Sequence, residues 1–269
     1  MMNKHARVEH DDTLPHNYTD HADIFARAVS FEKSSIISPA LSAEVDKIKA
    51  RGEFDPTQHK MVDVGCGPFL LALPFISDAI HVDGIDPSKE MLSIANSTLS
   101  TARPNLNKAA KQLLNRDKVR LVASPNDLKQ ADYKIAMLNF VHQCMPDQES
   151  LKSMFKEVAE LLMPHGRLII TGAHPENLHI DHSCCEYDVS DPDKLDEGDI
   201  YTGRIYNEMG APIFNLEGDH FWSLDTLQKT AEGVGFKLKE RKDIDDKRAG
   251  VRPASAIPAY FLMSLKISG

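Results

Sequence analysis

The chain has 269 residues, enough for one large domain or a domain carrying a sizeable insertion. Its 42% hydrophobic and 26% charged residues are ordinary for a soluble globular protein, and no apolar run approaches the roughly 18 residues needed to span a bilayer. A net charge of −9 argues against an extended nucleic-acid surface.

The first residues, MMNKHARVEHDD, are polar and lack the apolar core of a secretory signal, so a cytoplasmic protein is expected. Cys66, Cys144, Cys184 and Cys185 show no spaced pairs, which speaks against a zinc site or a disulfide framework and leaves no metal site to expect. Residues 20–31 read as a helix with Ala22, Phe25, Ala26 and Val29 on one face, and a second helix is expected from about Ala40 to Ala50. Beyond them strands and helices alternate. Met61–Val64 reads as a strand running into Gly65-Cys66-Gly67, with a helix over Phe69–Ile76 that Pro68 opens and Pro74 shortens or kinks. Ile80–Ile85 is a second strand ending at Asp86, and Pro87 opens a helix striped by Met91, Leu92, Ala95 and Leu99.

Lys108, Lys111, Arg116, Lys118 and Arg120 form the one basic cluster, without interleaved aromatics, and read as a solvated helix face. Val119–Val122 and Lys134–Leu138 are the third and fourth strands. Asp147 is a candidate N-cap for a long helix whose apolar stripe is Leu151, Met154, Phe155, Val158, Leu161 and Leu162. That helix ends at Pro164-His165-Gly166, and Leu168–Thr171 is a fifth strand. Residues 175–222 are polar, acidic and without clear periodicity, and read as an insertion over a ligand cleft. Ser223 caps a last helix to about Val234, and Phe236–Glu240 and Ala259–Lys266 supply two more strands. The alternation implies a mostly parallel seven-stranded sheet with helices on both faces. Four stretches are expected: a helical cap (1–55), an α/β core (56–174), a lid (175–222), and a helix with strands completing the sheet (223–269).

The most informative segment is V-D-V-G-C-G-P at 62–68. A strand ending in a glycine turn lets backbone approach a ligand closely, and a following helix would offer its amides and dipole. Asp86 ends the next strand, where an acid can accept bonds from ribose hydroxyls. A nicotinamide dinucleotide site would need a third glycine at the position held by Leu70, whose bulk argues against a pyrophosphate.

With G-I-D-P-S-K-E-M-L at 84–92, S-P-N-D-L at 124–128, Met137–Cys144 and L-L-M-P-H-G-R-L-I-I-T at 161–171, this segment resembles the class I S-adenosylmethionine (SAM)-dependent methyltransferases. The resemblance implies their Rossmann-like α/β fold, and a methyl transfer that turns SAM into S-adenosylhomocysteine (SAH). Carried over by position, it implies Gly65, Cys66 and Gly67 beside the methionine part of SAM, with Asp63 fixing that turn or the amino group. It further implies Asp86 and Pro87 at the ribose, Met91 on the adenine face, Asn126 and Asp127 at the adenine amino group, and Asn139 and Phe140 at the methionine end. Tyr18 is expected to cap the cofactor from the N-terminal segment.

Methyl transfer mainly requires alignment, and a hydroxyl acceptor also needs a base. His142, just past the fourth strand, is the first candidate for that base and is expected at the cleft rim; His220, in D-H-F-W-S at 219–223, is the second, and His174 follows the fifth strand. Tyr201, Phe214, Phe221 and Trp222 are candidate pocket-wall residues. A small-molecule acceptor undergoing O- or N-methylation is expected, with no nucleic-acid or membrane partner. The alternatives are a non-catalytic SAM-binding protein and, less favoured, a nicotinamide-dependent oxidoreductase.

Overall fold

A computed structural model of the chain describes residues 22–115, 119–180, 185–207, 210–245 and 258–269. Two helices lead, α1 (Ala22–Glu32) and α2 (Ser38–Ala50). The core then runs β1 (Lys60–Val64), α3 (Leu73–Ser77), β2 (Val82–Ile85), α4 (Lys89–Ala102), α5 (Lys108–Asn115), β3 (Leu121–Val122), β4 (Tyr133–Asn139), α6 (Gln148–Leu161) and β5 (Leu162–Ala173). Next come β6 (Cys185–Tyr187), β7 (Ile200–Tyr206) and β8 (Pro212–His220), and the chain finishes with α7 (Leu224–Gly233), β9 (Phe236–Ile244) and β10 (Tyr260–Ile267).

The main sheet has seven strands in the order β3-β2-β1-β4-β5-β10-β9. Its first five are mutually parallel, and β10 lies antiparallel between β5 and β9. This is the expected Rossmann-like, mostly parallel sheet. Alternate side chains of its central strands feed two cores. Met61, Ile135, Met137 and Ile169 join the core shared with α2, α3 and α4. Val62, Ala136, Leu138, Leu168 and Ile170 join the core under α6 and α7. A strand buried on both faces shows no polar alternation, which is why these segments read as continuous apolar runs.

Caps fix the helix starts. Ser88 accepts from the Met91 amide, Asp147 from Ser150 and Ser223 from Thr226, each contributing about 1 kcal/mol. Glu53, just past α2, accepts from Arg167 Nη2 at 2.8 Å and from Lys266 Nζ at 3.0 Å, tying the leading helices to β5 and β10. Burial pushes its carboxyl up, but Arg167 and Lys266 outweigh that and hold it at about 2.

Three expectations need correction. The helix expected over Phe69–Ile76 is shorter: Phe69 sits at φ 61°, and α3 is a five-residue helix starting only at Leu73, so the glycine-turn amides do not belong to a helix N-terminus. Pro164-His165-Gly166 does not separate α6 from the next strand. β5 begins at Leu162 and passes through those residues, with His165 at φ 60° and a register shift against β4. The 175–222 segment is not irregular, because β6, β7 and β8 form a second, antiparallel three-stranded sheet.

Candidate functional site

The site grows from the carboxyl ends of β1, β2 and β4, where an open α/β sheet leaves its crevice. After β1, the Gly65 and Cys66 amides both donate to the Ile85 carbonyl, at 2.8 and 2.9 Å. Gly65 has φ 69°, and a Cβ there would lie 2.3 Å from Val141 Cγ2. Only glycine lets the turn nest against the segment after β4. Asp86 takes the Gly67 amide on one oxygen at 2.8 Å and the Ser88 amide on the other at 2.9 Å. One carboxylate therefore pins the glycine turn to the start of α4.

Beneath the turn lies a buried polar chain. Thr171 Oγ1 donates to Asn139 Oδ1 at 2.8 Å, and Asn139 Nδ2 donates to Asp63 Oδ1 at 3.1 Å. All three residues are buried, on three adjacent strands. Phe140 follows at φ 60°, a left-handed conformation costing roughly 1–2 kcal/mol for a non-glycine residue, held by its amide donating to the Thr171 carbonyl. Strain kept at a strand end beside a cavity is a mark of a functional site.

These residues open onto a cavity of about 290 Å³, near the lower end of the roughly 300–1,000 Å³ typical of small-molecule sites. One side is Gly65, Gly67, Asp86, Pro87, Ser88 and Met91; Asn139, Phe140 and Val141 lie at the strand ends. The other side comes from α1 (Phe25, Val29), the turn after β4 (Gln143, Cys144, Met145) and the second sheet (Cys185, Tyr187, Ile205, Leu216). The second sheet is thus a wall of the same cavity. Phe25 also packs on Phe214 of β8, their ring centroids 5.3 Å apart.

Of the expected cofactor residues, Gly65, Gly67, Asp86, Pro87, Met91, Asn139 and Phe140 line this cavity. Asp63 supports it from below through Asn139. Cys66 is buried in the core between turn and sheet, outside the lining. Asn126 and Asp127 occupy a 3-10 turn after β3, exposed and outside the lining. Tyr18 lies outside the described residues, as do Arg116, Lys118 and Cys184.

The histidines differ from expectation. His142 is not at the rim: the chain turns down after Val141, and the imidazole fills the slot above Gly172, where a Cβ would come within 2.2 Å of the ring. It packs edge-on against Phe261 and is 4% exposed. Burial lowers its pKa from 6.5 to about 4, so the ring is neutral. His220 engages the Gly198 carbonyl through Nδ1 at 2.9 Å, and His174 lies 3.4 Å from Asp243; neither lines the cavity. Tyr201, Phe214, Phe221 and Trp222 are buried but also lie outside the lining.

The sequence alone does not mark Gln143, Met145, Tyr187, Ile205 or Leu216 as site residues, and it presents Cys144 and Cys185 only as cysteines without spaced partners. Nor does it mark Asp219, which takes a hydrogen bond from Gln143 Nε2. The available signal was the period-2 pattern of I-Y-T-G-R-I-Y at 200–206. Tyr201 stands opposite Asp219 in the β7–β8 ladder, and its phenol is pushed well up by burial and by Asp219, Cys144 and Cys185. It is not a base.

A Rossmann-like sheet with a glycine turn after β1, an acid after β2 and a walled cavity at the strand ends is the arrangement of a nucleotide-cofactor-binding α/β fold. Residues 61–166 match the family model described as a methyltransferase domain. No curated protein matches the sequence. Among solved structures, an S-adenosylmethionine-dependent methyltransferase from Clostridium acetobutylicum is 15% identical, with a TM-score of 0.60 over 94% of this chain and 99% of its own. The CcbJ methyltransferase of Streptomyces caelestis is 14% identical, with a TM-score of 0.56 over 97% of this chain and all of its own (100%). The Burkholderia thailandensis 1,6-didemethyltoxoflavin-N1-methyltransferase, solved with 1,6-didemethyltoxoflavin and S-adenosylhomocysteine, is also 14% identical, with a TM-score of 0.51 over 94% of this chain and 84% of its own. Likeness at this identity concerns the fold. Residues 61–166 thus carry the match to a methyltransferase domain, and the fold as a whole is the one seen in SAM-dependent methyltransferases.

Proposed function

We propose that the protein transfers a methyl group from SAM to a nitrogen or oxygen of a small-molecule acceptor. The observation that carries this reading is the single cavity whose one side is the glycine turn, Asp86 and Met91 and whose other side is the second sheet. SAM, when bound, supplies an electrophilic methyl on a sulfonium, and the acceptor's lone pair takes that carbon as the C–S electron pair returns to sulfur. The residues fit such a ligand. Asp86 takes the Gly67 and Ser88 amides, one on each oxygen, and brings an acceptor-only carboxylate to the cavity lining, the chemistry that ribose hydroxyls call for. Gly67 has open space at its Cβ position, and Met91 and Phe140 present apolar surface.

The protein's task is alignment, which supplies up to about 7–11 kcal/mol in well-oriented reactions. Neither His142 nor His220 is among the described lining residues, so this reading gives neither ring the role of base. The acceptor's proton leaves to water, and rate enhancement comes from holding nucleophile and methyl in line. The second sheet and α1 enclose the acceptor end. The Burkholderia enzyme's small-molecule ligand supports an acceptor of that size. Incubating the protein with methyl-labelled SAM and a panel of small phenols, amines and ring N–H compounds tests the proposal. Label transferred to an acceptor with SAH released supports it, whereas SAM and SAH binding with no transfer to any member indicates a binding protein.

A further inference from the structure

The polar end of the acceptor half of the cavity is unusually sparse. Its named walls are Phe25, Met145, Tyr187, Ile205 and Leu216, and the polar side chain reaching it from the turn after β4 is Gln143. Gln143 is 6% exposed, and its Nε2 donates to Asp219 Oδ2 of the second sheet, itself 1% exposed. A carboxylate offers only acceptors, so it holds the nitrogen end of the amide and fixes which end is left over. The leftover atom is Gln143 Oε1, which is buried and has no hydrogen-bond partner among the described residues. A buried carbonyl oxygen without a donor is costly, and a bound molecule that brings one removes the cost. Among the described lining residues there is no lysine, arginine or histidine, while Asp86 is one of them, so an anionic acceptor finds no counter-charge from these residues.

We infer that Gln143, oriented by Asp219, selects the acceptor: a neutral, largely apolar molecule of ring size that presents one N–H or O–H donor. This rests on the methyltransferase reading above and names its substrate class. The donor sits on or beside the atom to be methylated, so its bond to Oε1 positions the lone pair. A hydroxyl capped as an ether, or an acid ionised as a carboxylate, loses that bond.

The test uses SAH-saturated protein and three probes of one shape: 2-naphthol, 2-methoxynaphthalene and 2-naphthoate. Calorimetry first confirms that the unaltered protein takes up SAH; failure there sinks the methyltransferase reading rather than this one. With SAH bound, 2-naphthol is expected to bind roughly tenfold more tightly than either other probe, the scale of one hydrogen bond. In Gln143→Met, which keeps length and removes the amide, that preference falls to within about twofold. Asp219→Asn, which lets the amide present either end, gives an intermediate preference. Equal binding of naphthol and its ether by the unaltered protein, including no binding of either, overturns the inference. So does naphthoate binding as tightly as naphthol, or a preference that persists in Gln143→Met.

Discussion

Asn139 donates its side-chain amide to Asp63 across 3.1 Å, joining the ends of β4 and β1 directly under the glycine turn. With Thr171 donating to the same amide at 2.8 Å, three strands share one buried polar chain in which Asn139 is the middle member. Removing it leaves a buried carboxylate and a buried hydroxyl each short of a partner. Asn139→Ala is therefore expected to lower unfolding stability by about 1–3 kcal/mol in urea, and to weaken SAH binding because Asn139 also lines the cavity. Unchanged stability would show that the chain of bonds does not hold the strand ends.

The two glycines of the turn should behave differently. A Cβ at Gly65 meets Val141, whereas one at Gly67 meets nothing within 4 Å and adds only the strain of its φ of 49°. Gly67→Ala in the ligand-free protein is expected to cost about 1–2 kcal/mol, and Gly65→Ala clearly more. Val141→Ala should recover part of the Gly65→Ala loss. A thermal-melt comparison of the four variants reads the coupling directly.

Much of this architecture was legible in the chain. The runs M-V-D-V and K-I-A-M-L announce strands because both faces are buried, and Ser88, Asp147 and Ser223 mark helix starts by their side-chain oxygens. The residues closing the cavity were not legible. Gln143 becomes part of the site only because the chain turns down after Val141, and Asp219 only because β8 pairs with β7, a long-range event with no local mark. His142 misled for a related reason. Its distance from a strand end is local, but the slot that receives its ring depends on Gly172, thirty positions away.

His142 gives a pH signature. The unfolded chain takes up a proton near pH 6.5, while the folded ring resists until about pH 4. Below 6.5 the unfolded state binds more protons, so stability falls as pH drops through that window, by on the order of 3 kcal/mol in all. His142→Met should flatten this part of the stability–pH curve and retain methyl transfer. Loss of transfer in a well-folded His142→Met protein would restore the ring to the chemistry.

Asp83 offers a control away from the cavity. It accepts from the Tyr133 hydroxyl at 2.6 Å and the Arg120 amide at 2.8 Å, and pairs with His81 at 2.9 Å. Burial pushes its carboxyl up, yet His81, Tyr133 and the Arg120 amide together hold it low. Asp83→Asn is expected to cost roughly 3 kcal/mol of stability and leave SAH affinity nearly unchanged, since Asp83 lies outside the lining. Denaturation paired with SAH titration distinguishes this outcome from a role in binding.

The central claim is that the crevice holds SAM and not a dinucleotide, and isothermal titration of the purified protein with SAM, SAH and NAD tests it most directly. Saturable one-site binding of SAM and SAH is expected, with no heat from NAD, because Leu70 occupies the position that a pyrophosphate site gives to glycine. Asp86→Ala should weaken SAH by roughly 1–3 kcal/mol, through lost hydroxyl contacts and a loosened Gly67 turn. Saturable NAD binding with no response to SAM or SAH would contradict the account.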